Sequence, residues 1–128
     1  MNTTFFAPHL AIKVLKPAME FYQNAFNAKI LRSWGNPDGS IHVAEMEIEG
    51  ALFHLHEEVL RSNQVSPETV NVTTLLIGLF SPEPDKLFDQ AVSAGGRISS
   101  PIQDYDYGYR QGVITDPFGH QWLIQKKI

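Results

Sequence analysis

One order of elements is written twice along this chain of 128 residues, and that duplication narrows the folds open to it. The first copy opens with alternation over Pro8 to Val14. Leu10, Ile12 and Val14 fall on one face of a strand, and His9, Ala11 and Lys13 on the other. Pro17 stands where the first turn of a helix accepts proline. Met19, Phe21, Tyr22, Ala25 and Phe26 then recur at helical spacing up to Asn27, a residue suited to ending a helix. Lys29 to Trp34 reads as a strand, and Gly35 to Gly39 as a loop. Ile41 to Ile48 and Ala51 to Glu57 read as strands joined at Glu49-Gly50.

The second copy repeats that order. Val72 to Phe80 is a strand, and Ser81-Pro82-Glu83-Pro84 leads into a helix carrying Leu87, Phe88, Ala91 and Val92. Gly95-Gly96 stops the helix before a strand over Arg97 to Gln103. A hairpin closes the chain, with Gly112 to Thr115 and Gln121 to Gln125 flanking Asp116-Pro117-Phe118-Gly119. There Asp caps the turn, Pro presets φ and Gly releases the chain. Pro17 pairs with Pro84, Phe21 with Phe88 and Gln23 with Gln90, while the polar, irregular residues 59–70 read as a linker.

One βαβββ unit cannot cover its own sheet, but two together can. The expected fold is α+β, a single domain over residues 1–128. Repeat one spans about 5–58 and repeat two about 71–128, with helices on the outer side and curled mixed sheets around a cup. The absence of cysteine excludes disulfides and thiol chemistry. A net charge of -4 with scattered basic residues argues against nucleic acid. No apolar run reaches membrane-spanning length and nothing resembles a signal peptide, so the expected location is the cytoplasm.

Several stretches together carry a family resemblance. They are Pro8-His9-Leu10-Ala11-Ile12, Ala18 to Ala28, Ala44-Glu45-Met46, Thr73-Thr74-Leu75, and Gly112 to Leu123 with its Asp-Pro-Phe-Gly-His-x-Trp run. On these the chain resembles the vicinal-oxygen-chelate superfamily of glyoxalase I, extradiol dioxygenases, fosfomycin-resistance enzymes and bleomycin-resistance proteins, most closely its PhnB-like group. The resemblance implies a paired-βαβββ fold, a homodimer, and a ligand cup whose floor holds one divalent metal ion in the enzymes.

By that resemblance His9 occupies the first metal position, the second falls at Thr74 and the third at Leu123. Threonine is a poor ligand for a borderline transition metal and leucine cannot bind one. The expectation is therefore no family-type metal and no cofactor, with one divalent ion as the alternative. His54 and His56 share a strand face, as do Glu45 and Glu47, so a composite metal site is conceivable. The simpler reading puts His56 and Glu57 at a frayed strand end and His54 in the core or at its rim. His42 reads as a surface residue, and His120 as bonded to nearby backbone.

The expected cup face carries His9, Thr74 and Leu123, with Phe53 placed there by the family comparison and Trp122 kept in the core. Tyr105, Tyr107 and Tyr109 surround Gly108 with flat amphipathic rings suited to a planar ligand. Arg110 is placed to pair with an anion or with Asp104 or Asp106, and Trp34 to form the opposite wall. There is no nucleophile elbow and no phosphate-cradling glycine loop. The sequence thus points to a homodimeric protein that binds a small aromatic or planar molecule without chemistry. Its rivals are a metal-dependent lyase, isomerase or transferase, and a dimer with no small-molecule role.

Overall fold

The computed structural model describes residues 3–128. Strand β1 (His9–Ile12), helix α1 (Leu15–Phe26) and strands β2 (Lys29–Gly35), β3 (Ile41–Ile48) and β4 (Ala51–Glu57) form the first unit. Strand β5 (Leu76–Phe80), helix α3 (Pro84–Ser93) and strands β6 (Arg97–Tyr105), β7 (Tyr109–Thr115) and β8 (Gln121–Lys127) form the second. Between them lies a short helix, α2 (Pro67–Val70). The strand orders are β1-β4-β3-β2 and β5-β8-β7-β6, so the halves repeat in topology as in sequence. In each sheet the first strand pairs parallel to the last, and the remaining pairs are antiparallel. The two curled sheets stay open and do not close into a barrel.

The local signals explain the elements. Leu15, Ala18, Met19, Tyr22, Ala25 and Phe26 place an apolar stripe along α1, and every one of them is buried. Asn27 ends the helix at φ 57°, a left-handed position that asparagine tolerates. Glu49 and Gly50, both at positive φ, close the β3–β4 hairpin. In the second unit α3 stops before Gly96, where a Cβ would stand 2.6 Å from Ile114 Cγ2. Gln90 on α3 donates to Asn24 O at 3.0 Å and to Asn27 Oδ1 at 3.1 Å on α1, tying the two helices together.

Both sheets turn one face to a shared core. Leu10, Ile12, Ala44, Met46, Phe53 and Leu55 come from the first sheet, and Ile77, Ile114, Trp122 and Ile124 from the second. Burying each of the larger side chains contributes about 1.5–3 kcal/mol. Aromatic rings knit the halves: Trp122 lies 5.4 Å from Tyr22, 4.7 Å from Phe26 and 5.7 Å from Phe53.

Three expectations need correction. Phe53 is 3% exposed and belongs to this core, because β4 directs its odd residues inward and its even residues, His54 and His56, outward. Strand β5 begins at Leu76 rather than Val72, so Thr74 lies outside it; Val72 and Leu75 are exposed and have no strand neighbour to pair with. The segment after β4 is ordered rather than a plain linker. Ser66 caps α2 through Thr69 N–H, and Glu58 accepts bonds from Ser66 N–H at 2.8 Å and from the Thr69 hydroxyl.

Candidate functional site

The first sheet leaves its other face uncovered, and its strand register gathers polar residues there. β1 runs parallel to β4 with His9 opposite His54, and β3 runs antiparallel to β4 with Glu45 opposite His54. On β2, Arg32 pairs with Glu45 and Trp34 with Val43. Four strands therefore contribute one row. The His9 and His54 rings stack at 4.3 Å with 19° between planes. His54 Nε2 lies 3.7 Å from Glu45 Oε2, Glu45 forms an ion pair with Arg32, and the Arg32 guanidinium sits 4.8 Å over the Trp34 ring. Burial holds the His9 imidazole below its ordinary pKa, and the neighbouring His54 and His56 push the same way. The Arg32 partner holds the Glu45 carboxyl below its usual value.

A cleft of about 870 Å³ opens against the His9–His54 end of this row. His9, His42, His54, His56, Glu57 and Glu58 line it, and every lining residue lies between positions 9 and 64. Arg32 was absent from the sequence reading, although its two-residue spacing from Trp34 on a strand was the signal that could have found it. His42 lines the cleft rather than standing on open surface.

The second sheet's uncovered face is different in kind. Tyr105 and Tyr109 occupy the facing ends of β6 and β7, and Tyr107 sits in the turn between them. Their rings follow one another at 5.4 and 5.8 Å, with Phe80 6.2 Å from Tyr109. Gln103 donates to the Tyr105 hydroxyl at 2.9 Å, and Gln111 donates to that of Tyr107. Leu123 lies on β8 between Gly78 and Val113. Arg110 is taken up structurally: it grips Asp85 of α3 through two bonds at 2.8 and 2.7 Å, and Asp104 at 2.9 Å. These carboxylates push its pKa further above the ordinary arginine value.

The expected set is thus divided. His9 and Trp34 share the first sheet's open face. Leu123 and the tyrosines are on the second sheet, Thr74 is in the segment before it, and Phe53 is in the core. A family-type metal fits this donor set poorly. Leu123 offers hydrocarbon, and the His9 and His54 rings stack rather than converge on a point. Among the described residues no three His, Cys, Asp or Glu side chains are arranged to hold an ion.

The closing hairpin contributes a buried polar centre. Asp116 is 3% exposed. Its Oδ2 accepts from the Tyr22 hydroxyl at 2.5 Å and from Trp122 Nε1 at 2.9 Å, and its Oδ1 accepts from the main-chain N–H groups of Phe118 and His120. Burial pushes the carboxyl pKa up, while these donors oppose the rise. Burial and the Asp116 charge raise the Tyr22 hydroxyl well above its usual range. His120 bonds backbone as expected, but distant backbone: its Nε2 is 2.9 Å from Ala11 O on β1.

With this geometry in hand, residues 6–124 match the Glyoxalase/Bleomycin resistance protein/Dioxygenase superfamily. The chain belongs to that superfamily. Uncharacterised proteins of Mycobacterium bovis and Mycobacterium tuberculosis are 30% identical to it over 125 residues. The match spans 95% of this chain and 82% and 74% of those proteins, respectively. Among solved structures, TioX from Micromonospora sp. ML1 superimposes with a TM-score of 0.76 at 21% identity, over 98% of this chain and 100% of that one. A gene product of Arabidopsis thaliana gives 0.73 at 22% identity, over 97% and 99%. The fosfomycin resistance protein FosX from Listeria monocytogenes, in complex with Mn(II) and a dihydroxypropylphosphonic acid, gives 0.66 at 18% identity, over 96% and 89%. These structural likenesses establish the superfamily's fold in this member. Among its described residues no helix is long and apolar enough to cross a membrane.

Proposed function

We propose that this superfamily member binds a small planar molecule on the open face of its first sheet, without a metal at the family positions. The observation that carries the reading is the row of flat groups. Stacked His9 and His54 and the Arg32–Trp34 pair share one face beside a cleft of about 870 Å³. A second copy of the chain supplies the missing wall. Ile30, Leu31 and Trp34 on β2, and Leu76 and Phe80 on β5, stand exposed, as sheet faces awaiting a partner do. The tyrosine row of one copy is suited to border the ligand held by the other.

The test is a titration of purified protein with planar aromatic compounds, reading fluorescence. Trp122 is buried and Trp34 is exposed, so a response to a ligand on this face should vanish in Trp34→Phe. Sedimentation of the unliganded protein should show a dimer. The rival reading is a metal-dependent lyase, isomerase or transferase, and it draws on the nearness of His54 to both His9 and Glu45. About one tightly held divalent transition metal per chain, lost in His9→Ala, would replace the binding proposal with that one.

A further inference from the structure

We infer that the chain holds a second site, at the seam between its two sheets, for an uncharged aliphatic chain. This site is separate from the face proposed above. A cavity of about 630 Å³ opens between the β3–β4 hairpin and β5, and it shares no lining residue with the cleft beside His9 and His54. Leu31, Ile48 and Leu52 wall it from the first sheet, and Ile77 and Leu79 from the second. It reaches the core itself at Phe53 and Trp122, whose rings lie 5.7 Å apart.

The lining decides the ligand class. Among the described residues around the cavity, the polar side chains are Thr3, Glu47 and the Trp122 indole, and that indole N–H is already donated to Asp116. Glu47 is the one charged group in that set, and Lys29 stands opposite it in the β2–β3 register. Such a lining lacks the converging donors and acceptors that orient an ion, a sugar or a nucleobase. What it does provide is hydrocarbon that water leaves when an apolar chain enters. A charged or many-hydroxyl ligand would lose its hydration there without recovering it. The volume lies in the range of small-molecule sites.

The segment before β1 supplies a cover. Phe5 and Phe6 border the cavity, yet Phe5 is 54% and Phe6 96% exposed. Two adjacent phenylalanines left in water add little to the core of their own chain. Turned onto a bound chain, both rings leave water, and that burial is a contribution open only to the occupied protein.

Hexanol, octanol and decanol, each with one terminal hydroxyl, are titrated into the unaltered protein by calorimetry, with the octane diol that carries a hydroxyl at each end as control. Affinity should rise about fourfold for each added methylene until the cavity is filled. The diol should bind at least about tenfold more weakly than octanol. Trp122 reports the place of binding. In Trp34→Phe it is the remaining tryptophan, and its emission should change when octanol is added. Leu31→Asp sets a carboxylate in the cavity wall at a half-exposed position and should lower octanol affinity at least about tenfold. Phe6→Ser, at a position standing in water, should lower it as well, and it serves if circular dichroism shows that Leu31→Asp misfolds. A silent Trp122, an affinity indifferent to chain length, or no octanol binding because a second copy fills the cavity would each overturn the inference. The planar-ligand reading would be untouched, since its titration reads Trp34 on the other site.

Discussion

The two halves share a topology and differ in what they expose. The first sheet's open face shows stacked imidazoles, the Glu45 carboxylate and a tryptophan under a guanidinium; the second shows three tyrosines, glutamines and Leu123. Their hairpins differ in the same way. The first closes β3 and β4 with two residues, Glu49 and Gly50, and a Cβ at Gly50 would touch nothing within 4 Å. The second closes β7 and β8 with Asp116 to His120, and the Asp116 carboxylate reaches Tyr22 of the opposite half. Duplication fixed the scaffold once. One copy's turn fastens the halves together, and the other copy's open face is the one for which a ligand is proposed.

The sharpest way to break this comparison is at Asp116. Asp116→Ala strands the Tyr22 hydroxyl, the Trp122 indole N–H and two main-chain amides in the core. It should cost about 3–5 kcal/mol in chemical denaturation, and both halves should unfold together. Two melting transitions would instead mean that the turn fastens only its own half.

A matched pair of substitutions sharpens the contrast between hairpins. Gly119→Ala meets a positive φ of 90° and places a Cβ 2.5 Å from Pro67 Cβ. Gly50→Ala meets only a positive φ of 87° in open space. The first should cost about 2–3 kcal/mol and the second about 1 kcal/mol. Equal losses would show that the second turn is not packed as described.

The smallest effect concerns the imidazole row. His9 has a folded pKa below its ordinary value, first through burial and then through His54 and His56. Between the folded and unfolded values the unfolded chain binds more protons, so the stability this group contributes is present above about pH 6.5 and lost as pH falls below it. His9→Asn should flatten the decline of melting temperature between neutral and mildly acid pH. An unchanged slope would mean that His9 does not titrate against its neighbours.

Much of the fold was legible in the residues themselves. Alternation in β1, the apolar stripe of α1, Asn27, Gly95-Gly96 and the Asp-Pro-Phe-Gly turn each act within a few residues, so their free energies are local and visible in sequence. The repeated strand order and the superfamily followed from them. Of the candidate site residues, His9 and Trp34 lie on one face of the first sheet, as strand alternation alone allows.

What remained hidden depended on partners far along the chain. Alternation shows that Phe53 and His54 point opposite ways, but only the helix packing decides which of them is covered. Arg110 looked available until α3 brought Asp85 to it across 25 positions. The Tyr22–Asp116 bond joins residues 94 apart, and Tyr22 had been counted only as an apolar stripe member. The sequence by itself determined the doubled module, its turns and its family. Tertiary structure decided which strand faces stay open and which polar groups are consumed in the core. Burial and pairing are properties of neighbours in space, and no local pattern encodes them.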